Sequence, residues 1–190
     1  MPSTRPLARI ASLGAVAVAA LSCAGLAAAQ ANGDAGLELG VRLAVRFGVA
    51  FVVNLLLGAA LVALAPDYAH RMVTAIRDDP GTAFLWGLLV GVAVPIALIL
   101  LAITIIGLLI TIPGLFLLAI VGLVGNAVTV VWIGSYPANV DDLGATAVGI
   151  GALALSLLTA VPILGNLAAT LLGFFGLGVV GRDIYTSWQG

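Results

Sequence analysis

Residues 82–133 read TAFLWGLLVGVAVPIALILLAITIIGLLITIPGLFLLAIVGLVGNAVTVVWI and contain no charged side chain. At ~1.5 Å of rise per residue, a helical path through this run is long enough to cross a ~30 Å hydrocarbon core twice. The spacing predicts a helical hairpin. Pro95 is expected to kink its first arm, because proline removes a backbone donor and crowds the preceding turn. The turn itself falls between Thr104 and Gly114, where Gly107, Pro113 and Gly114 all weaken a helix and Thr104 and Thr111 can bond freed carbonyls. Either end of that region fits.

The rest of the chain has the same character. Of 190 residues, 63% are hydrophobic and 8% charged, where soluble domains carry about 25% charge. So few charges cannot solvate the surface of a globule, and lipid is the remaining solvent. Net charge is −1, and the seven basic residues are all arginine. That balance lacks the basic stripe of a nucleic-acid binder. Cys23 is the only cysteine, so no internal disulfide can form.

Toward the N-terminus, Leu39 to Ala65 is apolar enough to span, with Arg42 and Arg46 near its start, where their stems can snorkel to the head groups. Residues 1–30 carry Arg5 and Arg9, an apolar core from Ile10 to Ala20, and Ala27-Ala28-Ala29 before Gln30. This pattern predicts a signal peptide, with an uncleaved first helix as the alternative. Residues 31–38 form a short exposed leader.

Between Pro66 and Pro80 the periodicity changes. On a helix over 67–79, Tyr68, Ala69, Met72, Val73, Ala75 and Ile76 share one face, and Asp67, His70, Arg71, Thr74, Arg77 and Asp78 the other. Pro66 suits a first helical turn and Asp79-Pro80 a stop. Too short to span, the segment is expected to lie in the membrane interface, with Tyr68, Arg71, Met72, Ile76 and Arg77 as its interface residues.

Toward the C-terminus, the polar loop SYPANVDD at 135–142 precedes a helix at 144–161. A break at 161–166 containing Pro162, Gly165 and Asn166 follows, then a last helix over 167–181 and a tail over 182–190. These short arms span if tilted, or form a re-entrant hairpin. Both hairpins begin at a Gly after an acidic pair (Asp78-Asp79-Pro80-Gly81 and Asp141-Asp142-Leu143-Gly144), a pattern that an ancient duplication would leave. The predicted fold is therefore all-α: a polytopic membrane domain over 39–181 with about five transmembrane helices.

Arg71, Arg77 and Arg182 fall on one side of this arrangement. By the positive-inside tendency that side is cytoplasmic, giving an outside N-terminus and an inside C-terminus in the cell membrane. Arg42 and Arg46 oppose the assignment, and export of the leader outweighs them.

Polar chemistry within the apolar segments is sparse. Between Thr82 and Gly181 the only ionisable side chains are Asp141 and Asp142, in a loop, so a proton relay has nothing to run on. Asn54, Asn126 and Asn166 are expected to bond between helices or cap turns; the alternative is a polar lining for a solute. Asp67 and His70 share a helix face, but one His on a charged face reads as solvated rather than catalytic or metal-binding. Ser156 and Thr159 have no base in reach and are expected to bond back to their own helix. No metal or cofactor is expected.

From Ala65-Pro66 onward the chain resembles the C-terminal membrane domain of bactofilin-like, polymer-forming cytoskeletal proteins of archaea and bacteria. The shared features are that exit, the amphipathic basic segment, Asp79-Pro80 before Gly81, the T-I-I-G step at 104–107 and Pro162-Ile163-Leu164-Gly165, over roughly residues 45 to 181. Bactofilin β-helical repeats are absent, and Pro113 comes later after T-I-I-G than in that family. The resemblance implies a membrane module, with a polymer-forming or envelope protein, or a second copy of the chain, as its partner. An anchor or scaffold without enzymatic activity is the expected function; the alternative is a subunit of a small oligomeric pore or transporter.

Overall fold

The computed structural model describes residues 39–137, 143–160 and 164–189. The expected signal segment and leader, Pro162, and Asp141 with Asp142 lie outside them. Among the described residues every regular element is helical: α1 (Leu39–Leu64), α2 (Pro66–Asp78), α3 (Pro80–Leu101), α4 (Ile105–Gly134), α5 (Ala145–Ala160) and α6 (Leu164–Ser187). Helices α1, α3, α4 and α6 are long and apolar enough to cross a membrane, and α5 is a shorter apolar helix. This is a helical membrane protein.

Local chemistry sets the boundaries. Pro66 occupies the first turn of α2, where its missing N–H has no partner to lose. Asp79 ends α2 and starts α3: its Oδ1 accepts the Thr82 N–H at 3.0 Å, and Pro80 follows as the first helical residue. Those bonds to Thr82 hold the Asp79 carboxyl below its usual range.

Within α3, the disruption expected of Pro95 takes the form of a π turn over Leu89–Ala93, in which the Val94 N–H reaches back to Leu89 O. The wider turn relieves the crowding a proline ring imposes on the turn before it.

The α3–α4 turn lies at the Thr104 end of the expected region, over residues 102–104. Thr104 is extended and caps α4, its Oγ1 accepting the Gly107 N–H at 2.9 Å and donating to Leu101 O at 3.0 Å. T-I-I-G is thus a helix start. Gly107 was expected to break the helix; instead it lies in the first turn, where any side chain would run into the Leu101 carbonyl. Pro113, also expected as a break, sits inside α4 without ending it. Gly165 falls within the first turn of α6 rather than in a break, and α6 continues to Ser187, so most of the expected tail is helical.

The helices pack through missing side chains. A Cβ on Gly134 would collide with the Ala147 carbonyl, and one on Gly151 with the Val130 carbonyl, which fixes α4 against α5. Gly125 and Gly176 bring α4 onto α6, while Gly87 and Gly178 bring α3 onto α6. Lipid tails are as apolar as leucine, so such close backbone approach, and not hydrophobicity, holds helices together here. The resulting core (Val73, Ile76, Val128, Val131, Ala147, Val148, Val179) gathers at one end of the molecule.

Candidate functional site

Two polar arrangements stand out. The first lies within the bundle. Asn126 on α4 donates through Nδ2 to Asn54 Oδ1 on α1 at 3.1 Å. Asn54 Nδ2 donates in turn to Ser156 Oγ on α5 at 3.4 Å, and Ser156 Oγ donates to its own Ala152 carbonyl at 2.6 Å. One chain of hydrogen bonds thus ties three helices. Asn54 is 8% exposed and Ser156 fully buried, so each bond satisfies a group that neither lipid nor water reaches. Thr129 on α4 bonds back to Gly125 O at 2.9 Å, directly under Gly176 of α6.

The sequence pairs Asn54 with Asn126 only by residue type; the structure brings them together and leaves Asn166 apart. Asn166 is exposed near the start of α6, where its carbonyl accepts from Thr170. Ser156, expected only to bond back to its helix, also accepts from Asn54. A weak signal was available: serine mid-helix in an apolar segment is a frequent interhelical partner.

The second arrangement is a polar head. It comprises α2 and the adjoining ends of α3, α4 and α6. Arg77 of α2 donates through Nη2 to the Ser135 carbonyl at 2.6 Å and Oγ at 2.9 Å, beyond the end of α4. Its guanidinium lies over the Tyr136 ring, 5.4 Å from the centroid. Trp86 of α3 packs on Tyr185 of α6 at 5.0 Å, and Trp132 of α4 on Phe175 of α6 at 5.2 Å. Arg182 is close enough to act on Asp79, and Asp183 on Tyr68. Burial first, then Asp183, push the Tyr68 phenol up to about 12, with Arg71 opposing.

The interface residues expected on α2 therefore divide. Tyr68 and Arg77 are half-buried, and Arg71 is exposed with its guanidinium over the Tyr68 ring at 5.6 Å. Met72 and Ile76 are 5% and 0% exposed. Together with Ala69 and Val73 they face the bundle, so protein and not lipid covers the apolar side of α2. The amphipathic pattern is real and its apolar side seats on the bundle; periodicity reports a one-sided helix without saying what that side touches.

All three Trp and all three Tyr of the chain belong to this head. So do Asp67, His70, Arg71, Arg77, Asp78, Asp79, Arg182 and Asp183, leaving Arg42 and Arg46 as the charges at the far end of α1 among the described residues. Aromatic rings with one wet edge concentrate at head-group level in membrane proteins, and this end of the bundle gathers the aromatic and charged side chains together. Among the described residues no group of three or more His, Cys, Asp or Glu gathers as metal ligands.

The fold and these two arrangements define a multi-pass helical membrane protein, polar-tied within and capped at one end. Residues 1–189 match the family model described as Domain of unknown function (DUF8173), and the protein belongs to that family. No curated protein and no solved structure matches the chain.

Proposed function

We propose that the protein is a non-enzymatic membrane module that anchors or scaffolds other components at the cell membrane. The observation that carries this reading is the Asn126–Asn54–Ser156 chain. The strongest hydrogen-bonding groups inside the bundle face one another across α1, α4 and α5. Groups that line a solute path need free valences toward that path; these are committed to holding helices together. The head supplies what an anchor needs outside the lipid: an exposed charged face of α2 (Asp67, Arg71, Asp78) rigidly seated on the bundle by its buried face.

In this proposal the head is cytoplasmic and the C-terminus inside. Its support is that Arg71, Arg77 and Arg182 share one end. The proposed partner is a polymer-forming or envelope protein, as the resemblance to the membrane domain of bactofilin-like proteins suggests, or a second copy of the chain.

Reconstitution into liposomes loaded with small ions and sugars tests the reading. Wild-type vesicles are expected to remain as tight as protein-free ones, and Asn126→Leu is expected to lower stability without altering permeability. Solute flux through the wild type that falls in Asn126→Leu would replace the scaffold with a pore.

A further inference from the structure

The α3–α4 hairpin changes character at two prolines that share one level. On α3, the π turn over Leu89–Ala93 comes just before Pro95. That turn sits where α3 leaves α6, since a Cβ on Gly91 within it would meet the Phe174 ring and the Leu177 side chain. On α4, Pro113 lies inside the helix, and a Cβ on the next residue, Gly114, would meet Leu98. Leu98 is less than one helical turn beyond Pro95, so the two prolines stand at nearly the same depth. Neither can donate the backbone bond that stiffens an ordinary helix, and prolines and π turns are the places where helices bend.

Between the prolines, residues 96–112 close on themselves. Gly107 and Thr111 are the buried residues of α4 in this stretch, and both face α3. Any side chain on Gly107 would run into the Leu101 carbonyl, and Thr111 donates to Leu98 O at 3.0 Å. Ile99, Leu109 and Ile112 are exposed. The stretch contains no charged, amide or aromatic side chain that would hold it at head-group level. Its other hydroxyl, on Thr104, is committed to Leu101 O and the Gly107 N–H.

From this arrangement we infer that residues 96–112 form a stiff arm, hinged at the π turn, Pro95 and Pro113, that tilts to follow the thickness of the bilayer. Lipid solvates the arm's outward aliphatic side chains in any orientation. Tilting away from α6 therefore breaks no packing among the described residues. The driving force is mismatch: α4 has 30 residues, about 45 Å, against a hydrocarbon core of ~30 Å. The aromatic and charged side chains gather at the opposite end of the hairpin, so the unanchored arm moves while the head keeps its place. This inference rests on membrane residence and is independent of whether the module anchors a partner.

Spin-label distances in the full-length chain test it, with Cys23→Ser removing the native thiol. Labels at Ile105→Cys on the arm and Leu167→Cys on α6 read the hinge. Labels at Leu167→Cys and Ile184→Cys, both on α6, serve as the rigid reference. The protein is placed in nanodiscs of dimyristoleoyl-phosphatidylcholine, a thin bilayer, or dierucoyl-phosphatidylcholine, a thick one. The expected result is an Ile105–Leu167 distance that is longer in the thin bilayer than in the thick one, with the reference pair unchanged. In Pro95→Ala/Pro113→Ala that shift is expected to be lost or sharply reduced. An Ile105–Leu167 distance that is the same in both bilayers would overturn the arm, as would a shift matched by the reference pair. A full-sized shift in the double proline variant would overturn the hinge. Should that variant fail to fold, Pro95→Ala and Pro113→Ala decide singly: no reduction in either refutes the proposal.

Discussion

The head half of the bundle and the tip of the α3–α4 hairpin are built from the same aliphatic residues and behave oppositely. In the head half, Val73, Ile76, Val128, Val130 and Val131 are all 0% exposed. At the tip, Ile103, Ile105 and Ile106 are 79%, 92% and 77% exposed, and among the described residues the last part of α3 packs chiefly on α4 and on its own π turn. Hydropathy does not separate the two regions. What separates them is the presence of small residues and polar ties at the contact surfaces. The tip holds itself together with few: the Thr111 hydroxyl donates to Leu98 O at 3.0 Å, and Gly114 lets Leu98 close in. Apolar side chains lacking such devices stay in lipid, because lipid solvates them as well as another helix does. At 30 residues, α4 is about 45 Å long and meets a ~30 Å core by tilting.

The largest expected effect that sharpens this contrast comes from glycine substitutions a few residues apart. Gly176→Leu places a side chain against Gly125 O and Thr129, and should cost about 3 kcal/mol or more, or prevent folding. Gly173→Leu on the same helix meets nothing within 4 Å and should change stability by less than about 0.5 kcal/mol. Thermal unfolding followed by helical circular dichroism in detergent compares them, and equal effects would break the contrast. Next in size, Thr104→Ala removes the α4 cap and should cost about 1 kcal/mol. That loss should be local, read as faster hydrogen exchange at Gly107 with the head unaffected.

Ser156→Ala should cost about 0.6 to 1.7 kcal/mol, the range for interhelical bonds in membranes. Ile105→Thr, made at the tip, should be nearly silent in the same assay.

A further effect is pH-dependent and vanishes below pH 10. A phenol whose folded value is raised to about 12 from 10.0 favours the folded state fully below pH 10, and that contribution is lost as pH rises toward 12. Stability should therefore decline across that window, and Tyr68→Phe should flatten the decline. An unchanged alkaline slope in Tyr68→Phe would show that Tyr68 does not govern it.

Much of this architecture was legible in the sequence where a helix begins or ends on strong local chemistry. Pro66 and the Asp79-Pro80 pair set the bounds of α2, and the polar start and proline exit framed α1 to within a residue. The hairpin turn was harder, since Thr104, Gly107, Pro113 and Gly114 all weaken helices in isolation. Only the hydroxyl of Thr104 against the Gly107 N–H decides which end turns. The Asn54–Asn126 pair was legible as interhelical bonding from residue type, whereas Ser156 as the third member depends on helix rotation that apolar periodicity does not encode. For the same reason Met72 and Ile76 were readable as one face and unreadable as to what covers it. Arg77 showed the cation, but its engagement with Ser135 is a tertiary fact.

The central claim is that polar groups inside the bundle tie helices together. A double-mutant cycle between Asn54→Leu and Asn126→Leu, read as unfolding free energy in a bilayer-mimetic detergent, tests it most directly. A bond of 3.1 Å between the two side chains predicts a coupling of about 0.6 to 1.7 kcal/mol. Additive single effects, with no coupling, would contradict it.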